Sequence, residues 1–179
     1  MSKINLDSLP YRPCVGVALF NKKGQLWLGH RAGKPETLPE KDEVSYAWQM
    51  PQGGIDEGEE PLVAALRELH EETNVSSVDL LSEAPEWFSY DLDRSIIQKG
   101  WRGKYRGQTQ KWFAFLFVGD DAEIDVLNPG AGQFEAEFSQ WRWGDLSEAP
   151  ELIVPFKRDV YEQVVDAFKG VSDQLKLGM

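Results

Sequence analysis

Residues 53–75 read GGIDEGEEPLVAALRELHEETNV, a glycine-rich turn followed by a run that carries Glu68, Glu71 and Glu72 beside Arg67. A helix turns by about 100° per residue, so Leu62, Ala65, Leu66 and Leu69 gather on one side as an apolar stripe expected to face the core. Glu71 then lies nearly opposite the stripe, with Glu68 and Glu72 on a flank. The result is a fan of oxygens at the boundary between core and solvent. Oxygen-only ligands favour hard ions such as Mg²⁺ or Mn²⁺, which keep part of their water and bind jointly with phosphates, whereas zinc prefers Cys and His. Arg67 stands four residues before Glu71 and can pair with it, holding that carboxylate in position. A solvated face with i,i+4 pairing would be the plainer reading of these charges, but the glycines just ahead argue against it. Gly53 and Gly54 carry no Cβ, so their backbone can approach a metal ion or a phosphate closely.

Written as Gly-x5-Glu-x7-Arg-Glu-U-x-Glu-Glu-x-Gly-U, with U a bulky aliphatic residue, the pattern is met by Gly53, Glu59, Arg67, Glu68, Leu69, Glu71, Glu72 and Val75. In this the segment resembles the Nudix hydrolase box. Asn74 stands where the family has its second glycine. Asn tolerates the left-handed backbone needed just past a helix end, so the turn is expected to survive. The resemblance runs on through Tyr11-Arg12-Pro13, Val15-Gly16, WQMPQGG at 48–54, QKWF at 110–113, Glu137-Phe138, WRW at 141–143 and FKRDVY at 156–161. Taken in order, these segments are similar to the bacterial RNA pyrophosphohydrolases and the related plant-type diadenosine tetraphosphate hydrolases.

That resemblance implies an α/β fold, the Nudix α/β/α sandwich with a mixed β-sheet, as one domain over residues 1–179. It implies Mg²⁺-dependent hydrolysis of a phosphoanhydride, with Mn²⁺ or another divalent ion as a substitute. The leading expectation is a 5′-triphosphorylated RNA trimmed to a 5′-monophosphate with release of pyrophosphate, with activity on dinucleoside polyphosphates beside it. In the alternative, diadenosine tetraphosphate cleaved to ATP and AMP is the main substrate. A silent nucleotide- or RNA-end-binding module would be expected to lack a box glutamate, and none is missing. Glu68, Glu72, Glu71 and Gly53 are the expected metal ligands. Glu137, remote in sequence, is implied to fold back over the metals as a further ligand or as the general base, Glu71 being the other candidate base and Arg67 its holder. On the substrate side stand Arg12, Tyr90, Lys111, Phe156 and Lys157. Arg12 and Lys157 would bind phosphates, and Phe156 with Arg12 would stack around the first base. The plain alternative for Phe156 is a core position, while Trp141 and Trp143 read as packing and His30 and His70 as surface or loop residues.

Composition bounds the same reading independently. A chain of 179 residues with 41% hydrophobic content suits one domain with a sizeable core. The lone cysteine, Cys14, excludes an intramolecular disulfide and fits a reducing compartment; inside the apolar run 14–20 it reads as a small buried hydrophobe. Nothing approaches the ~18 apolar residues of a membrane span, and residues 1–11 lack a signal-peptide core, so a cytoplasmic protein is expected.

The net charge of −11 argues against general affinity for a phosphate backbone. Its distribution matters more. Arg94, Lys99, Arg102, Lys104, Arg106 and Lys111 fall in one acid-free segment carrying +6, which leaves −17 for the rest of the chain. It contains Trp101 and Tyr105 and is followed by Trp112, so this strip offers aromatic faces among cations, as a nucleotide or short single strand requires.

Elsewhere the chain alternates between strand and helix patterns. Residues 15–20 and 26–29 read as a hairpin through the turn cluster 21–24, and residues 32–45 as a loop rich in proline and charge. Strands are expected at 87–90, 111–118 and 137–143. A terminal helix over 155–169 carries Val160, Val164, Val165 and Phe168 at helical spacing and is expected to stop before Gly170.

Overall fold

A computed structural model describes residues 6–33, 47–93, 97 and 103–179. Most of the expected loop at 32–45 lies outside the described residues, as do Arg94, Lys99, Trp101 and Arg102 of the basic strip.

Among the described residues eight strands form one mixed sheet: β1 Tyr11–Phe20, β2 Leu26–Arg31, β3 Trp48–Gln49, β4 Gln52–Gly54, β5 Val78–Glu83, β6 Phe88–Asp91, β7 Gly107–Phe117 and β8 Phe138–Gly144. The backbone of the sheet runs β3-β2-β1-β7-β5, with β4 on β1, β6 on β7 and β8 on β2. Among the described residues only β1 and β7 pair in parallel, from Tyr11↔Gly107 to Phe20↔Leu116. The β1–β2 hairpin forms where expected, closed by the Asn21 side chain, which accepts the N–H groups of Lys23 and Gln25.

Because side chains alternate along a strand, β1 and β7 each feed two cores. Val15, Val17 and Leu19 with Phe113, Phe115 and Phe117 face the helix Pro61–Thr73. Ala18 and Phe20 with Trp112 and Ala114 face the C-terminal helix Arg158–Lys176. This is the expected α/β/α layering. Trp112 is fully buried and meets Tyr161 edge-on at 5.8 Å, and the Tyr161 hydroxyl accepts the Met50 N–H, which fixes the approach to β4.

Three expectations need correction. On the helix 61–73 the buried face is Ala64, Ala65, Leu69 and Glu72, with Leu62 partly buried, whereas Leu66 is 39% exposed. The helix is rotated so that the Glu72 carboxylate, rather than Leu66, joins Leu69 on the inward face. The C-terminal helix begins at Arg158 after a short 3-10 turn and runs through Gly170 to Lys176. Continued packing outweighs the ~1 kcal/mol helix penalty of glycine, since Val171 and Leu175 lie against the core and the Ser172 hydroxyl donates to Gly24 O at 2.9 Å. Strand β5 was not expected at all. Its side chains are mostly exposed and its register slips between Leu80 and Ser82, so it lacks clean alternation and is held by pairing with β7.

Among the described residues no helix is long and apolar enough to cross a membrane.

Candidate active site

The helix 61–73 starts at Pro61, and Asn74 ends it in the left-handed conformation, φ 67°, with its N–H on His70 O. Asparagine thus does make the turn that the family glycine makes. The preceding loop returns through β4, which pairs antiparallel with β1 at Cys14↔Gly54 and Val15↔Gly53. These two attachments bring the glycines under the helix. The Glu68 carboxylate occupies the space where a Cβ on Gly53 would lie, and the Arg12 guanidinium does the same over Gly54.

Arg67 is the tie between loop and helix. Its Nε and Nη2 donate to the two carboxylate oxygens of Glu59 at 2.8 and 2.9 Å, Nη2 also reaches Gly54 O at 2.8 Å, and Nη1 reaches Glu68 at 2.9 Å. The expected pairing with Glu71 is present but longest, 3.5 Å. Hydrogen bonds from Arg67, then from the Asp56 backbone, hold Glu59 down to about 2. Glu59 belongs to the box pattern, yet sequence reasoning gave it no task; its task is to orient Arg67.

The remaining carboxylates differ in surroundings. Glu72 is 4% exposed and accepts the Gln52 N–H at 3.1 Å. Burial first, then the charges of Glu137 and Glu68, push its carboxyl well above the ordinary range. Glu68 is pushed up by burial, opposed by Arg67 and reinforced by Glu71 and Glu137. Glu137 lies just ahead of β8, where Phe138 pairs with Arg31 of β2, and its backbone carbonyl accepts the Ala32 N–H. The fold therefore does carry Glu137 into the field of the helix carboxylates. A cluster of mutually repelling, partly buried carboxylates is what a hard divalent cation would relieve, and the all-oxygen donor set fits Mg²⁺ or Mn²⁺. Among the described residues no three of them already converge as a closed ligand cage. Arg67 engages Glu68 and Glu71 instead.

On the other side of β4 lie the cations and aromatics. Lys157 is 8% exposed, its ammonium 5.6 Å over the Tyr90 ring, and Phe156 leans on the same ring at 5.6 Å. Burial first, then repulsion from Arg31, lowers Lys157 to about 8, with Cys14, Glu72 and Glu137 opposing. Burial pushes the Cys14 thiol up to about 11 while Arg12 and Lys157 pull against it, so both cations lie close to that point of β1. Cations and an aromatic pair thus lie beside the carboxylates across β4.

Two residues depart from expectation. Lys111 donates to Ala84 O at 2.6 Å and to Glu83 at 2.8 Å, so its ammonium is engaged in tying β7 to the end of β5. Arg31 was missed. It stands 4.0 Å from Glu137, and its charge acts on both Glu72 and Lys157, between the two halves of the site. Only the β2–β8 register reveals it. Trp141 stacks on Trp27 and Trp143 bonds Asp121, as packing residues do.

Comparison with known proteins agrees with this geometry. RNA pyrophosphohydrolase of Azorhizobium caulinodans is 56% identical over 164 residues, covering 92% of this chain and 95% of that protein. The protein of the same name from Mesorhizobium japonicum is 54% identical over 170 residues, 95% and 96% of the two chains. A Caenorhabditis elegans Ap4A hydrolase structure superposes with a TM-score of 0.58 at 18% identity, covering 89% of this chain and 98% of that one. The E. coli dihydroneopterin triphosphate pyrophosphohydrolase superposes equally well, 0.58 at 19% identity, covering 88% of this chain and 98% of that one. At such identities these two establish the fold alone. The NUDIX domain matches residues 10–164, from the edge of β1 into the C-terminal helix, and the chain belongs to that family.

Proposed function

We propose that this protein is a single-domain RNA 5′-pyrophosphohydrolase of the cytoplasm, converting a 5′-triphosphate end to a 5′-monophosphate, with dinucleoside polyphosphates as secondary substrates. The observation that carries the reading is the meeting across β4 of a carboxylate cluster, Glu68, Glu72 and Glu137, with the buried ammonium of Lys157 and the guanidinium of Arg31. One side suits cations and the other phosphates. The relatives named RNA pyrophosphohydrolase, matched over more than nine-tenths of the chain, support RNA as the substrate.

Glu68, Glu71, Glu72, Glu137 and the Gly53 backbone would hold divalent ions, which supply charge neutralisation on the phosphates and acidify water. Arg67 keeps Glu68 and Glu71 on the glycine turn. Glu71 and Glu137 are the candidate acceptors of a proton from the attacking water, a reading supported by their exposure, 32% and 45% at the side chains against 14% for Glu68 and a buried Glu72. Lys157, Arg31 and Arg12 would bind the polyphosphate, with Phe156 and Tyr90 walling the first nucleoside.

The test is a comparison of initial rates on a 5′-triphosphorylated oligonucleotide and on diadenosine tetraphosphate in one Mg²⁺ buffer. Pyrophosphate release from the oligonucleotide is expected to dominate. A large preference for the dinucleotide would replace RNA by dinucleoside polyphosphates as the main substrate, and no Mg²⁺-dependent turnover of either would leave a binding module.

A further inference from the structure

We propose that residues 125–137 form a strap that the Asn74 side chain staples to the end of the helix 61–73, and that this staple positions Glu137 for catalysis. The inference rests on the hydrolase reading above for its catalytic part and on geometry alone for the strap.

The contacts fall on the last two turns of the helix and its cap. Asp125 N–H donates to Thr73 O at 3.0 Å. Asn74 then uses both ends of its amide: Nδ2 donates to Glu123 O at 2.9 Å and Oδ1 accepts the Gly130 N–H at 3.1 Å. One turn back, the Phe134 ring meets His70 edge-on at 6.1 Å. Three residues on, Glu137 lies in the electrostatic field of Glu72 and Glu68, which stand on either side of His70 along the helix, and its carbonyl accepts the Ala32 N–H at 2.8 Å where β8 begins. The segment therefore lies along the C-terminal end of the helix and leads to Glu137, the carboxylate that must meet the helix carboxylates, which β8 holds on its far side.

Part of the strap's shape is internal: Gly132 N–H donates to Asn128 O, Gln133 N–H to Gly130 O and Phe134 N–H to Pro129 O, and Asp125 Oδ1 accepts the N–H groups of Leu127 and Asn128. Gly130, Ala131 and Gly132 are all left-handed, φ 61°, 56° and 83°, and for Ala131 this is a conformation that persists only when its surroundings impose it. A Cβ on Gly130 would meet the Phe134 ring at 2.6 Å, so this turn also sets where Phe134 lies on His70. The bond from Gly130 to Asn74 fixes the first of these residues. A glycine at position 74 would make the same helix end and could make neither side-chain bond. The departure from the family pattern thus replaces a residue that only turns the chain with one that turns it and holds the strap.

The test uses the full chain with Asn74→Gly, which keeps the left-handed backbone and removes only the side chain. Hydrogen exchange on the metal-free protein is read at residues 125–137, and kcat and KM are read on the triphosphorylated oligonucleotide with Mg²⁺. Expected are exchange at Gly130 and its neighbours faster by roughly tenfold, kcat lower by about three- to tenfold, and KM within about twofold of wild type. Combining Asn74→Gly with Glu137→Gln is expected to lower kcat no further than Glu137→Gln alone, since the staple acts through Glu137. Unchanged exchange would overturn the staple. Faster exchange with unchanged kcat, or full additivity with Glu137→Gln, would leave Asn74 a structural residue and overturn the positioning role. Inactivity of the wild-type protein would refute the hydrolase reading while the exchange data still decide the strap.

Discussion

The Glu68 carboxylate lies against the Cα of Gly53, in the space a Cβ would fill. The glycine at the head of the box is therefore required by a side chain of the same motif, one helical turn short of its end, as well as by any ion or phosphate. Gly53→Ala is expected to drive Glu68 off its seat and lower turnover by about a hundredfold, as misplacement of a reacting group by about 1 Å does. Single-turnover kinetics checks it; full activity would show that Glu68 need not occupy that seat.

Glu72→Gln removes the charge of a buried carboxylate while keeping its shape. Turnover is expected to fall by at least about a hundredfold. In EDTA the thermal midpoint should stay the same or rise, because burial and the nearby Glu137 and Glu68 already oppose the charge at this position. The increment in midpoint on adding Mg²⁺ should shrink. Calorimetry with and without the ion separates the two effects, and a large loss of stability in EDTA would contradict the account of Glu72 as an uncompensated charge.

Arg67→Lys keeps the charge and loses the fork that spans Glu59, Glu68 and Gly54 O. A lysine ammonium cannot hold all three at once. The expected cost is about 2 kcal/mol in denaturant unfolding, with turnover lower by about tenfold. Unaltered stability would mean that loop and helix are held by something other than Arg67.

Lys157 gives a pH dependence with a defined sign. Its folded-state pKa, about 8, lies below the ordinary 10.5, so the wild-type protein should gain stability relative to Lys157→Met as the pH rises from about 8 towards 10.5, and show the full penalty below 8. Binding goes the other way. As Lys157 loses its proton, KM for the triphosphorylated substrate should rise several-fold, a dependence that Lys157→Met flattens and Lys157→Arg removes by staying charged. Parallel stability and KM profiles across this range check both halves.

Local pattern was enough for much of this. The helix 61–73, the left-handed turn at Asn74 and the β1–β2 hairpin follow from periodicity and turn chemistry, whereas the three-layer arrangement is implied only by the resemblance to the Nudix hydrolases. Strand β5 was not legible, since its exposed, irregular residues are strands only because β7 pairs with them. The C-terminal helix was read too short, because Gly170 weakens a helix in isolation while the packing of Val171, Ser172 and Leu175 sustains it.

In the site, the chain order of residues determined which side chains share one helix turn and therefore which chemistry is available: oxygen ligands, a glycine turn and one arginine. Tertiary structure alone decided that Glu72 rather than Leu66 faces inwards, that Lys111 is spent on Ala84 O and Glu83, and that Arg31 and Glu137 meet beside Lys157. The reason is range. Spacing within a helix fixes neighbours three or four residues apart, but residues 31, 72, 137 and 157 become neighbours only through the register of β2 on β8 and the packing of two helices on opposite faces of one sheet.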